Sequence, residues 1–181
     1  MYKYITTFAL LFIIFFGTAS VKADGLGVFG SFWEPADGGD TRGLGARIRG
    51  GKDTMYYVLR GTYFEDIQEE REMSVVDLQV IPVDLGLGLQ TQNDEGLILY
   101  GGIGASYYFI DRETFDDVDD EYGWYLEAGI EFGFNEGLGV LIEGVWRRVE
   151  GDVDDEKGTL LSDTTIDLEG FSLNVGLLFV W

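Results

Sequence analysis

The residues of this chain whose types and placement could do chemistry are four arginines and four carboxylates: Arg47, Arg49, Arg60 and Arg147, with Asp84, Glu127, Glu131 and Glu143. Each sits in a stretch otherwise made of apolar, glycine and small residues. Charges in such surroundings must be paired, because an isolated charge out of water is prohibitively costly. Equal numbers of both signs suit a paired network. One reading is that the network only fills and stiffens an interior; the other is a gated ion or proton path. Acid/base catalysis fits less well. Glu127 and Glu131 are four residues apart, about 13 Å along a strand, and the carboxylate pairs of glycosidases stand only about 5–9.5 Å apart. The chain has no His and no Cys. It therefore lacks the commonest general base and metal ligand, any thiol nucleophile and any disulfide. No catalytic residues are expected, and the chain reads as a non-enzyme.

A metal is the other possibility. Asp152, Asp154, Glu156 and Asp163 match oxygen-ligand positions 1, 3, 5 and 12 of a calcium loop, but the turn position is Lys157 and the glycine, Gly158, comes one residue late. No resident cofactor follows from so broken a motif. Loosely held Ca²⁺ or Mg²⁺ at acidic loops does, against the alternative of a merely solvated acidic surface.

What must position these groups is legible in the alternation of the chain. In Gly170–Trp181, the residues Phe171, Leu173, Val175, Leu177, Phe179 and Trp181 are large and apolar, while Gly170, Ser172, Asn174 and Gly176 are small or polar. Period two means a strand with one oily face. Turn signals divide the chain into eight such segments: 24–33, 41–49, 54–64, 75–89, 96–110, 122–134, 138–149 and 170–181. The eight charges fall on the non-oily faces together with Gly, Ser and Asn. In the fourth segment Val76, Leu78 and Val80 have one parity and Val83, Leu85, Leu87 and Leu89 the other, which predicts a bulge near Pro82. Glycines at 45, 86, 88, 102, 104, 129, 133 and 139 are read as room for long arginines to cross.

Oily faces outward and polar faces inward would be inside out in water. In lipid that arrangement is required, and closing the sheet removes its edges. Connections alternate in length, short at 50–53, 90–95 and 135–137 and longer at 65–74, 111–121 and 150–163. That rhythm predicts an all-β, eight-stranded antiparallel up-and-down transmembrane barrel with both termini periplasmic. Aromatic residues are expected to form two interfacial girdles, with Tyr63, Tyr107, Phe109, Trp124 and Trp146 at the loop ends and Phe132, Phe134, Phe179 and Trp181 at the turn ends.

The first 23 residues read as a cleaved secretory signal: Lys3, an apolar run from Ile5 to Phe16, then the small-x-small site Val21-Lys22-Ala23. Residues 24–181 are the barrel domain. The formal charge is −21, and removing two signal lysines leaves −23. Such a surface repels nucleic acid, and most of the acids lie in four loop stretches, 34–40, 65–74, 111–121 and 150–163.

The signal, the eight alternating segments, the loop rhythm and the terminal FSLNVGLLFVW together resemble the small eight-stranded outer-membrane barrels, the OmpA transmembrane-domain and OmpX-like family. The resemblance covers residues 24–181. It implies residence in the outer membrane of a Gram-negative (diderm) bacterium, contact with outer-membrane lipid and lipopolysaccharide, and recognition of the last strand by the barrel assembly machinery. It also implies a monomer. That family more often ends in Phe, where this chain has Trp181. Similar barrels that act on lipid A use a His with a Ser, a route closed here. The resemblance does not name a function, because this fold hosts enzymes, adhesins, resistance factors and structural anchors; the reading is a non-enzymatic barrel with a structural or surface-interaction role, and the alternative is a small porin, or a carrier for small or apolar molecules.

Overall fold

A backbone in lipid has no water to bond, so each strand needs a neighbour on both edges. The computed structural model describes residues 25–36, 39–52, 54–71, 74–93, 96–112, 121–135, 137–151 and 166–181. The strands are β1 (Gly25–Pro35), β2 (Thr41–Lys52), β3 (Met55–Arg71), β4 (Ser74–Gln92), β5 (Leu97–Arg112), β6 (Glu121–Asn135), β7 (Leu138–Gly151) and β8 (Gly170–Val180). Each pairs antiparallel with the next. β8 closes the ring on β1 in one unbroken register, from Gly25↔Val180 to Pro35↔Gly170. The chain is thus the expected all-β, eight-stranded closed barrel. A two-residue stretch, Ile166–Asp167, continues the line of β8 and pairs with Glu150 and Gly151 of β7.

The turn end of the barrel carries Gly25 and Val180. Two of its tight connections use glycine at positive φ, Gly96 at 81° and Gly137 at 105°, a region disfavoured for other residues. The Val180 amide donates to the Gly137 carbonyl at 3.1 Å, fixing the end of β8 to the β6–β7 turn.

Alternation sorts the side chains as the sequence implies. Leu85, Leu87, Leu89, Ile103, Leu126, Ile130, Leu173, Val175 and Leu177 face outward and are exposed, while Asp84, Glu127, Ser172 and Asn174 are buried inside. All nine aromatics named for the girdles face outward on the odd- or even-numbered oily sides. Several meet edge to face: Tyr107 with Phe109 and with Tyr122 at 4.8 Å, Trp124 with Trp146 at 4.9 Å, and Phe132 with Phe134 at 5.4 Å between ring centroids.

Three local expectations are corrected. The register between β4 and β5 runs unbroken through Pro82, which faces Tyr108, so there is no bulge at Pro82. The irregularity lies instead in β3, between Phe64 and Ile67, where one extra residue enters that strand. The parity change in β4 has another cause: Val80 is apolar yet points into the lumen and is fully buried there. Second, residues 65–71 and the adjoining Ser74 are not loop. β3 and β4 stay paired as far as Arg71↔Ser74, since a strand pair running past the lipid needs no oily face and so gives no period-two signal. Third, most of the inward glycines accommodate aromatics rather than arginines. A Cβ on Gly104 would meet the Tyr125 ring at 2.5 Å, one on Gly129 the Tyr100 ring at 2.5 Å, and one on Gly102 the Tyr56 hydroxyl at 2.5 Å. The signal segment, residues 1–23, lies outside the described residues.

Candidate functional site

The lumen is the candidate site, and each of the eight strands sends polar side chains into it. β2 supplies Arg47 and Arg49, β3 Arg60, β4 Asp84, β6 Glu127 and Glu131, and β7 Glu143 and Arg147. The remaining strands add Ser31 from β1, Tyr100 and Ser106 from β5, and Ser172 and Asn174 from β8. The eight charged groups meet one another in a ladder whose sign alternates along the barrel. From the turn end, Arg49 reaches Glu131 at 2.7 Å. Glu131 also pairs with Arg47, which pairs with Glu143 at 2.6 Å. Glu143 pairs with Arg60, which holds Asp84 at 2.8 Å and Glu127 at 2.9 Å. Asp84 then pairs with Arg147 at 2.9 Å.

Neutral groups complete the shells. Tyr56 donates to Glu127 at 2.7 Å and Tyr100 to Glu143 at 2.8 Å. Ser106 donates to Asp84 at 2.6 Å, and Asn174 donates to Glu143 at 2.8 Å while accepting from Ser31 at 2.6 Å. Arg147 donates to the Ser172 hydroxyl at 2.6 Å. The Arg49 guanidinium lies over the rings of Tyr56 and Tyr100, 5.2 and 4.9 Å from their centroids. Burial this deep would be ruinous for lone charges; here every carboxylate has a cation and a neutral donor or second cation.

Above the ladder, at the loop end, the lumen turns apolar. Trp33, Phe64, Val80, Tyr108, Ile110, Val149 and Leu168 form one cluster in which no residue is more than 7% exposed. They come from β1, β3, β4, β5, β7 and the approach to β8. The other two strands supply glycines that let the large side chains lie across them. A Cβ on Gly43 of β2 would stand 2.6 Å from the Phe64 ring, and one on Gly123 of β6 would stand 3.0 Å from Val149. Trp33 stacks at a tilt on Phe64, 4.8 Å between centroids. The cluster therefore spans the whole cross-section. A smaller apolar group, Phe29, Leu141 and Leu178, occupies one side of the lumen toward the turn end.

Sequence reasoning placed the eight charges on the inner faces but missed the apolar layer. The available signal was a strand end apolar on both parities, as in Tyr107–Ile110 of β5. Leu178, an exception to the alternation of the last strand, is explained by its packing against Phe29 and Leu141. The four calcium-loop candidates, Asp152, Asp154, Glu156 and Asp163, lie outside the described residues. Among the described residues no group of three or more acids could hold a metal ion.

No family model and no curated protein matches the sequence. Solved structures do match in fold. Neisserial surface protein A superposes with a TM-score of 0.60 at 10% identity, over 87% of this chain and 95% of that one. Outer membrane protein W of E. coli gives 0.57 at 13% identity, over 90% and 100%. Ail, the attachment invasion locus protein of Yersinia pestis, gives 0.51 at 12% identity, over 88% and 97%. The chain has the fold of the small outer-membrane barrels.

Proposed function

We propose that this outer-membrane barrel is a non-enzymatic monomer with a structural or surface-interaction role, exported through a cleaved signal at residues 1–23 and seated with its termini in the periplasm. The observation that carries the reading is a lumen crossed by paired charges and then closed off by packed apolar side chains, which leaves the loop end as the part free to vary and to meet partners. The lumen serines support a non-enzymatic role, since Ser31 and Ser106 donate to Asn174 and Asp84 and Ser172 accepts from Arg147. The name of one fold neighbour, an attachment invasion locus protein, is in keeping with a surface role. The expected surroundings are outer-membrane lipid and lipopolysaccharide, and the terminal strand is the element the assembly machinery would engage.

The protein is expected in the outer-membrane fraction, as a band whose mobility on SDS gels shifts with heating because a closed barrel resists the detergent. A soluble periplasmic protein with no heat shift would sink the proposal. Loop deletions that keep the heat shift, scored for loss of binding to host cells, test the surface role; undiminished binding when all long loops are shortened would reject it.

The acidic loops are proposed to bind Ca²⁺ or Mg²⁺ loosely, at millimolar levels, and to bridge to lipopolysaccharide phosphates. Titration calorimetry should show weak heat that disappears with Asp152→Asn plus Asp154→Asn. Absence of heat in the wild type, or heat untouched by that pair, counts against it.

A further inference from the structure

We infer that the barrel is a latent ion pathway, shut by the apolar plug at its loop end and not by the ion-pair ladder below it. Two features of the lumen carry this. The first is the asymmetry of access. Of the charged side chains in the ladder, only Arg49 and Glu131 are measurably open, at 11% and 8%, and both lie at the turn end; Arg60, Asp84, Glu143 and Arg147 are at 0%. Several donors along the ladder, Arg47 Nε, Arg49 NH1, Arg60 NH2 and Arg147 Nε, have no protein partner although buried. A polar, multiply charged column with spare donors is the kind of surface that water wets. Its alternating signs offer a permeating cation or anion a succession of exchange partners, and its balanced charge traps neither.

The second feature is the nature of the seal. Six strand lines contribute an apolar side chain to the plug, and the glycines of the other two let Phe64 and Val149 reach across. The polar atoms of the plug's own side chains are the Trp33 Nε1 and the Tyr108 hydroxyl, both uncharged, so an ion crossing it sheds its water and meets no opposite charge. Hydrophobic constrictions of this kind hold a pore shut by excluding water, without any bond that must break. The ladder is different: Arg60 touches three carboxylates at once, so one contact can be given up to a passing ion while the others hold.

The test uses the refolded full chain in planar bilayers, with insertion checked by the heat shift. Val80→Thr combined with Val149→Thr keeps the shape of both side chains and adds a hydroxyl to each. This variant is expected to raise the unitary current, or the open fraction, at least tenfold over the wild type. Arg49→Gln combined with Glu131→Gln, which removes one rung of the ladder while Arg47 keeps Glu143, is expected, with the plug intact, to leave the current at the wild-type level. Wild-type current in the first variant, or opening in the second, overturns the inference. Should either pair fail to insert, the chain's lack of cysteine provides another reading. A thiol placed by Ser106→Cys, just below Tyr108 on β5, should react with a small impermeant thiol reagent from the turn end only. Labelling from the loop end, or from neither end, overturns it.

Discussion

Ending the chain at Gly170 is expected to abolish insertion altogether. β8 supplies the neighbour for β7 on one side and for β1 on the other, in registers that run from Leu138↔Phe179 to Arg147↔Gly170 and from Gly25↔Val180 to Pro35↔Gly170. Without it both strands present bare amide and carbonyl edges to hydrocarbon, at a cost of several kcal/mol per unsatisfied group. No side-chain change elsewhere in the barrel approaches that sum. Trp181→Asp acts in the same direction with less force, because a charge then replaces an outward, exposed aromatic at the interface. The measurement is the heat-shifted, protease-resistant band in the outer-membrane fraction. Its presence in the truncated chain would mean that β1 and β7 close the ring by themselves.

The largest effect of a single side chain is expected at Arg60. It is fully buried and is the shared partner of Asp84, Glu127 and Glu143, which approach the lumen from three different strands. Arg60→Ala leaves these carboxylates facing one another with too few cations, and breaking a buried pair in this way typically costs about 3–5 kcal/mol. Glu131→Ala removes the common partner of Arg47 and Arg49 and should cost somewhat less, since that end of the ladder has some access to water. Arg148→Ala is the control. Its pairing with Glu169 spans 3.7 Å between side chains 48% and 35% exposed, a situation worth about 0–1 kcal/mol. Equilibrium unfolding in urea from lipid vesicles should rank the three in that order. Equal midpoints for Arg60→Ala and the wild type would show that the ladder contributes nothing to stability.

The fold was legible because lipid imposes a rule that sequence alone can state: oily residues at every second position, eight times over. Phe171, Leu173, Val175 and Leu177 announced β8, and the opposite parity of Arg60 to Leu59 and of Glu127 to Leu126 assigned those charges to the inner wall. What period two does not encode is the filling of the interior. A lumen side chain is chosen by what faces it from across the barrel, and that partner is far away in sequence. Val80 joins Trp33 and Leu168 in one cluster only after closure, so its wrong parity looked like a slipped register. Gly104 makes room for Tyr125, its register partner on the neighbouring strand, a fit of small against large that alternation alone does not mark. The extension of β3 to Arg71 was hidden for the opposite reason: beyond the lipid no face has to be oily, and polar residues form a strand without marking it.

The ladder joins four arginines to four carboxylates, so among the described residues the charges of the lumen sum to zero. The formal charge of −21 therefore resides almost entirely on residues outside the lumen. Dissolved salt screens exposed charges over about 8–10 Å at ordinary ionic strength and barely reaches buried pairs. The protein is in this sense two electrostatic objects on one chain. Raising the ionic strength screens the charges outside the lumen, while the wall and its interior keep the strength they had in dilute buffer.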